Sequence, residues 1–145
     1  MNIVLPDGSV KELEEGATVA DVAASIGAGL ARAALAGIVN DTPVDLDAVV
    51  SDGDSVAIVT AKSDEGLELM RHSTAHLLAA ALTDMYPGVK FGVGPAIENG
   101  FYYDIELPEG VTVSPDDFAA IEARMAEIAK SGAAIVRREV SRDEA

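Results

Sequence analysis

The chain has only two histidines, four residues apart in Met70-Arg71-His72-Ser73-Thr74-Ala75-His76-Leu77-Leu78. On a helix that spacing puts both imidazoles on one face. Imidazole titrates nearer neutrality than any other side chain, so a pair can orient a water or move protons. The same spacing is familiar from metal sites. A structural zinc wants four protein ligands and a catalytic one usually three. With no cysteine and no further histidine, an Asp, a Glu or residues absent from this chain would have to complete that set. Ser73 follows His72, so the H-E-x-x-H pattern of a metalloprotease is absent. A third reading is two helix histidines satisfied by polar neighbours.

A second cluster is aromatic and glycine-rich: Gly92-Val93-Gly94-Pro95, then Gly100-Phe101-Tyr102-Tyr103-Asp104. Alternation along a strand puts Phe101 and Tyr103 on one face, with Tyr102 and Asp104 on the other. One face suits a core and the other a cleft. Glycines beside Pro95 allow close backbone approach by a ligand, and tight packing explains them equally well. Gly92 and Gly94 form no dinucleotide fingerprint, because Ile97 stands where a third glycine belongs. Asp104 and Glu106 share a strand face, a pattern as typical of solubility as of acid–base work. Arg137-Arg138 can meet a phosphate or form an ion-paired strand edge.

These residues need elements to hold them. Asn2–Leu5, the turn Pro6-Asp7-Gly8-Ser9 and Val10–Leu13 read as a hairpin. Thr18 stands before Val19, Val22, Ala23 and Ile26, with Asp21 three residues on, the pattern of a capped amphipathic helix that Gly27 and Gly29 stop. Ala34–Val39, a turn at Asn40-Asp41-Thr42-Pro43, a loop through Asp52-Gly53-Asp54 and the β-prone run Ser55–Thr60 follow. Hairpin, helix, strand, turn, strand describes a small ubiquitin-like β-grasp over residues 1–62, whose last strand can lie beside its first.

Lys62-Ser63-Asp64-Glu65-Gly66 is a polar break. Over residues 63–145 the pattern predicts a Leu/Ala-rich helix from Leu67 to about Tyr86. A hairpin follows, built from Val89–Ile97 and Phe101–Leu107 around Glu98-Asn99-Gly100. Ser114-Pro115-Asp116-Asp117 opens a second helix with Phe118, Ile121, Met125 and Ile128 as its buried stripe and Gly132 as its end. Ala134–Val140 reads as a last strand. The expected class is α+β throughout. Ser141-Arg142-Asp143-Glu144 has the form of a capping box, yet Ala145 is the last residue, which reads either as a piece cut from a longer protein or as a frayed polar tail.

Composition narrows the choice. The 145 residues are 49% hydrophobic, enough for a core, with a formal charge of −15. Residues 1–62 carry three basic and ten acidic side chains, and residues 63–145 carry seven and fifteen. Neither half suits tight independent binding of a phosphate backbone. The absence of cysteine excludes disulfide scaffolds and thiol catalysis by this chain. No apolar run approaches the ~20 residues of a membrane span, and MNIVLPDGSV lacks the features of a signal peptide. A soluble, cytoplasmic protein without membrane partners is expected.

The run Arg71–Leu78, followed by Gly94-Pro95-Ala96-Ile97-Glu98-Asn99-Gly100-Phe101-Tyr102-Tyr103-Asp104, closely resembles the amino-terminal region of bacterial threonyl-tRNA synthetases. The first sixty residues are similar to that family's TGS domain. Residues 63–145 are similar to the start of its editing domain, and Val140-Ser141 with Glu144-Ala145 is similar to the continuation. The resemblance implies a ligase that joins threonine to its tRNA using ATP, and a region that hydrolyses serine wrongly esterified to that tRNA. Serine lacks one methyl of threonine, worth only ~1–3 kcal/mol of discrimination, and a second hydrolytic site is one way to supply the rest. By the same resemblance His72 and His76 position water or the terminal ribose, and Gly94 and Tyr103 line the pocket for serine and the terminal adenosine. No metal is assigned to these residues and no cofactor to this chain. ATP, Mg and Zn fall to an absent synthetic core.

The family's editing domain continues beyond Ala145 and adds a cysteine, a histidine and a lysine that this chain lacks. The 145 residues alone are therefore expected neither to charge tRNA nor to edit efficiently, and to bind the threonine-accepting tRNA weakly. The expected partners are that tRNA and the rest of the synthetase, the parent being a homodimer. Two alternatives differ in class: a free-standing trans-editing aminoacyl-tRNA deacylase, and a non-enzymatic TGS regulatory module.

Overall fold

A computed structural model describes residues 1–133 and 138–144. The chain forms two compact units, Met1–Arg71 and His72–Ala145.

In the first unit, β1 (Asn2–Val4) and β2 (Val10–Glu12) pair antiparallel, with Ile3 opposite Lys11. Thr18 caps α1 (Val19–Ile26): its hydroxyl accepts from the Asp21 N–H at 3.3 Å, and the Asp21 carboxylate accepts from the Thr18 N–H at 2.8 Å. Both ends of the expected capping box are made. Gly27 closes α1, but the chain then forms a further helix, α2 (Ala28–Ala33), where the glycines predicted only a stop. Ala, Leu and Arg at five of its six positions are strong helix formers, and they outweigh Gly29. The strands β3 (Ala34–Val39), β4 (Thr42–Val44) and β5 (Val56–Thr60) form a sheet ordered β4-β3-β5. Asn40 and Asp41 have positive φ, 49° and 64°, and form a two-residue turn between β3 and β4, so Thr42 and Pro43, expected within the turn, pair in β4 instead. Ser55, the residue before β5, meets β1 through one parallel bridge to Val4.

Ile3, Val19, Val22 and Val56 are 0% exposed, with Leu5 and Val50 beside them, so one face of α1 and the inner faces of the strands share a closed core. Gly37 on β3 permits this closeness, since a Cβ there would lie 2.6 Å from Cγ1 of Val19.

The polar break is not a linker in the structure. The Ser63 hydroxyl accepts from the Gly66 N–H at 3.1 Å and caps α3 (Asp64–Met85), a 22-residue helix within which the division between the units falls. In the second unit, Ala75, Ala81 and Leu82 are the buried residues of α3. After Pro87-Gly88 the chain makes one irregular hairpin from two short antiparallel pairs, β6 (Lys90–Phe91) with β9 (Ile105–Glu106), and β7 (Ala96–Ile97) with β8 (Gly100–Phe101). Between them four residues, Gly92–Pro95, face three, Tyr102–Asp104. The extra residue makes a bulge that breaks the two continuous strands expected from the sequence.

Ser114 and Asp117 are joined at a second helix start, the carboxylate accepting from the Ser114 N–H at 2.8 Å and its hydroxyl at 3.1 Å. A 3₁₀ turn at Pro115–Asp117 leads into α4 (Phe118–Ser131), which ends at Gly132 with φ 62°. Of the four residues expected on its buried stripe, Ile121 is buried and Phe118 is 53% exposed. Phe118 is the first residue of α4 and lines an apolar groove instead of a closed core. The expected strand Ala134–Val140 falls largely outside the described residues, and its described part, Arg138–Val140, has no regular structure.

Candidate functional site

Both histidines lie on the uninterrupted part of α3, where Leu and Ala, good helix formers, surround them. Their rings meet edge to face, with centroids 4.6 Å apart and planes at 82°. Nε2 of His72 and Nε2 of His76 are 3.0 Å apart, hydrogen-bonding distance. At about 100° per residue, Ala75, Leu78 and Leu82 form the inward stripe of α3, and the histidines fall roughly a third of a turn away. Accordingly both rings are exposed to water. Among the described residues no third metal-binding side chain joins the pair.

Gly94 and Tyr103 meet across the hairpin bulge. A Cβ on Gly94 would overlap the Tyr103 ring, with Cε2 2.5 Å away, so glycine lets the backbone lie directly on the aromatic face. Tyr103 also stacks on Phe91, ring centroids 5.3 Å apart and planes at 29°. The alternation expected along this arm holds: Phe101 and Tyr103 are half-buried, whereas Tyr102 is 68% exposed and Asp104 faces water. Backbone bonds Gly92 N–H to Asp104 O, 2.8 Å, and Asp104 N–H to Val93 O, 3.0 Å, fix the bulge.

The structure thus brings the predicted site residues together in two pairs, His72 with His76 and Gly94 with Tyr103. Among the described residues no hydrogen bond or ring contact links one pair to the other.

Several charged side chains of the second unit pair with one another. The Glu106 carboxylate accepts from the Lys90 ammonium at 2.7 Å, which holds Glu106 below the usual carboxylate range and raises Lys90. In both, the hydrogen bond contributes more than the charge. Arg124 donates to Asp84 through Nη2 at 2.7 Å and to Glu127 through Nη1 at 2.8 Å, tying α4 to the end of α3. Arg138 lies 3.8 Å from Glu144, and Arg137 falls outside the described residues.

One feature escaped the sequence reading. An apolar groove of about 400 Å³ lies in the second unit, lined by Leu78, Leu82, Phe101, Ile105, Phe118 and Met125 among others, with Glu122 as its charged member. Every apolar lining residue was legible as hydrophobic, but their periodicity carries no information about whether a space between elements is filled.

Comparison with known proteins adds an independent line. Residues 1–60 match the model of the TGS domain. Over all 145 residues the chain is 51% identical to a threonine--tRNA ligase of Bacillus velezensis, 50% to threonine--tRNA ligase 1 of Bacillus subtilis and 52% to a threonine--tRNA ligase of Acidovorax. In each case it covers 100% of this chain and 22% of the relative, so it spans about a fifth of the length of the curated proteins it matches. Residues 1–60 are therefore a TGS domain, and the chain as a whole is homologous to the amino-terminal region of threonine--tRNA ligases.

Proposed function

We propose that the second unit contributes the histidine pair of a hydrolytic site that removes serine wrongly esterified to threonine tRNA, within a longer threonine–tRNA ligase. The observation that carries this reading is the His72–His76 contact at 3.0 Å in a segment about half identical to such ligases. Ester hydrolysis needs a proton acceptor for the attacking water and a donor for the leaving ribose oxygen, and a neutral imidazole pair can supply both. Gly94 and Tyr103 serve as the pocket wall, where a glycine beside an aromatic ring leaves room for a small aminoacyl group.

With a charge of −15 the segment holds tRNA weakly by itself, and affinity comes from the remainder of the ligase. ATP and metal chemistry belong to that remainder too. The test is a chimera in which these 145 residues replace the homologous segment of the Bacillus subtilis ligase. Seryl-tRNA deacylation should persist in the chimera and fall by ~100-fold or more with His72→Ala or His76→Ala, the usual scale for a lost acid–base group. Threonylation should be unchanged. Undiminished deacylation in both variants would refute the assignment.

A further inference from the structure

Resting on that reading, we infer that His72 and His76 act as a single one-proton couple with opposite tautomers, a relay in which one ring accepts a proton while the other donates one. The inference follows from what a 3.0 Å Nε2–Nε2 contact permits. Two Nε2–H groups facing each other repel, and so do two bare lone pairs. A neutral pair therefore holds one proton in the contact: one ring carries Nε2–H, and the other presents a bare Nε2.

Each neutral imidazole has one N–H, so the tautomers are set. The ring with Nε2–H has a bare Nδ1, and the ring with the bare Nε2 carries Nδ1–H. Whichever histidine donates, the pair always offers one accepting Nδ1 and one donating Nδ1. The rings stand with their planes at 82°, and the two Nε2 atoms are the atoms that meet. Both rings are exposed and open to a substrate.

For an aminoacyl ester the balance closes. The water oxygen bonds to the acyl carbon while a water proton passes to the bare Nδ1. The shared proton crosses from one Nε2 to the other. The second ring's Nδ1 proton goes to the ribose oxygen as its bond to the acyl carbon breaks. A carboxylic acid and a free ribose hydroxyl result, both rings remain neutral, and their tautomers are exchanged. Proton exchange with water restores either arrangement. No charge is left on the couple at any resting point.

The test is long-range ¹⁵N–¹H correlation of the imidazoles in the ¹⁵N-labelled 145-residue chain, above the pH where imidazole titrates. One histidine should show a pyrrole-like Nε2 and pyridine-like Nδ1, and the other the reverse. With His72→Gln, the remaining ring should shift its ¹⁵N pattern toward the free imidazole mixture, and His76→Gln should do the same for His72. Circular dichroism checks the fold, which two exposed side chains should not disturb. Like tautomers in the native chain, or a ring indifferent to loss of its neighbour, would overturn the couple. A metal ion bridging the two Nε2 atoms would appear as two Nδ1–H rings and would overturn it as well. None of these readouts needs turnover. An incorrect editing assignment would show instead as undiminished chimera deacylation with opposite tautomers intact.

Discussion

The two units solve the packing problem to different degrees. In Met1–Arg71, Ile3, Val19, Val22 and Val56 are wholly excluded from water, and Leu5 and Val50 complete a core fed by a helix and several strands. Among the described residues of His72–Ala145 the buried hydrophobic ones are Ala75, Ala81, Leu82 and Ile121, two of them alanines, and an apolar groove opens beside them. A methyl group contributes far less burial than a leucine or valine side chain. The candidate site residues all lie in this second unit. Thin packing and accessible side chains go together, because a group that meets a substrate cannot also be sealed in a core.

The largest test of this contrast is truncation of one core residue in each unit. Ile3→Ala should cost ~2–5 kcal/mol, since its surroundings are closed and a cavity would remain. Ile121→Ala should cost less, because it borders a groove that already holds space. Urea denaturation of both variants measures this, and equal losses would break the contrast.

Gly37→Ala and Gly94→Ala probe the same difference from the opposite direction. The first drives a methyl into Val19, which is 0% exposed, and should cost ~1–3 kcal/mol. The second meets the half-buried Tyr103 ring, which has room to turn, so the stability loss should be smaller. The tyrosine signal in near-ultraviolet circular dichroism should change in the second variant alone.

Capping should not distinguish the units. Thr18→Ala and Ser114→Ala should each cost ~0.5–2 kcal/mol by thermal denaturation, because both remove a local bond at a helix start whatever the core behind it.

The smallest effects are electrostatic. The Thr18 backbone N–H, then its hydroxyl, hold the Asp21 carboxyl below its ordinary value, and Lys90 does the same for Glu106. A folded-state pKa below the unfolded one gives stability that is present above the ordinary carboxylate range. That stability is lost as pH falls through the lowered value. Acid titration should show both losses. Added salt should weaken the exposed Glu106–Lys90 contribution more than the Asp21 one, which rests on neutral donors.

Local signals were legible wherever one or two residues decide the outcome. Thr18 with Asp21, the Asn40-Asp41 turn and Gly132 each act through bonds or φ values within a few residues. The facing of His72 and His76 follows from helical period alone. The failures are equally specific. Gly27 and Gly29 suggested a stop, yet α2 forms, because propensity summed over several residues outweighs one glycine. Ser63 looked like part of a linker but caps α3. The hairpin bulge shifts register by a single residue, which alternation of apolar residues did not signal. For Phe118, a place in the apolar stripe of α4 did not mean burial.

By itself, the sequence determined the caps at Thr18 and Ser114, the turn at Asn40-Asp41, and that two imidazoles share one helical face. Period, capping and turn chemistry depend on neighbours along the chain. The tertiary structure alone decided that Gly94 lies against Tyr103, that Glu106 is engaged by Lys90, and that the apolar faces of α3, α4 and the hairpin leave a groove between them. Those outcomes depend on how elements distant in sequence meet in space, and hydrophobic pattern specifies that a face is apolar without specifying what fills the space before it.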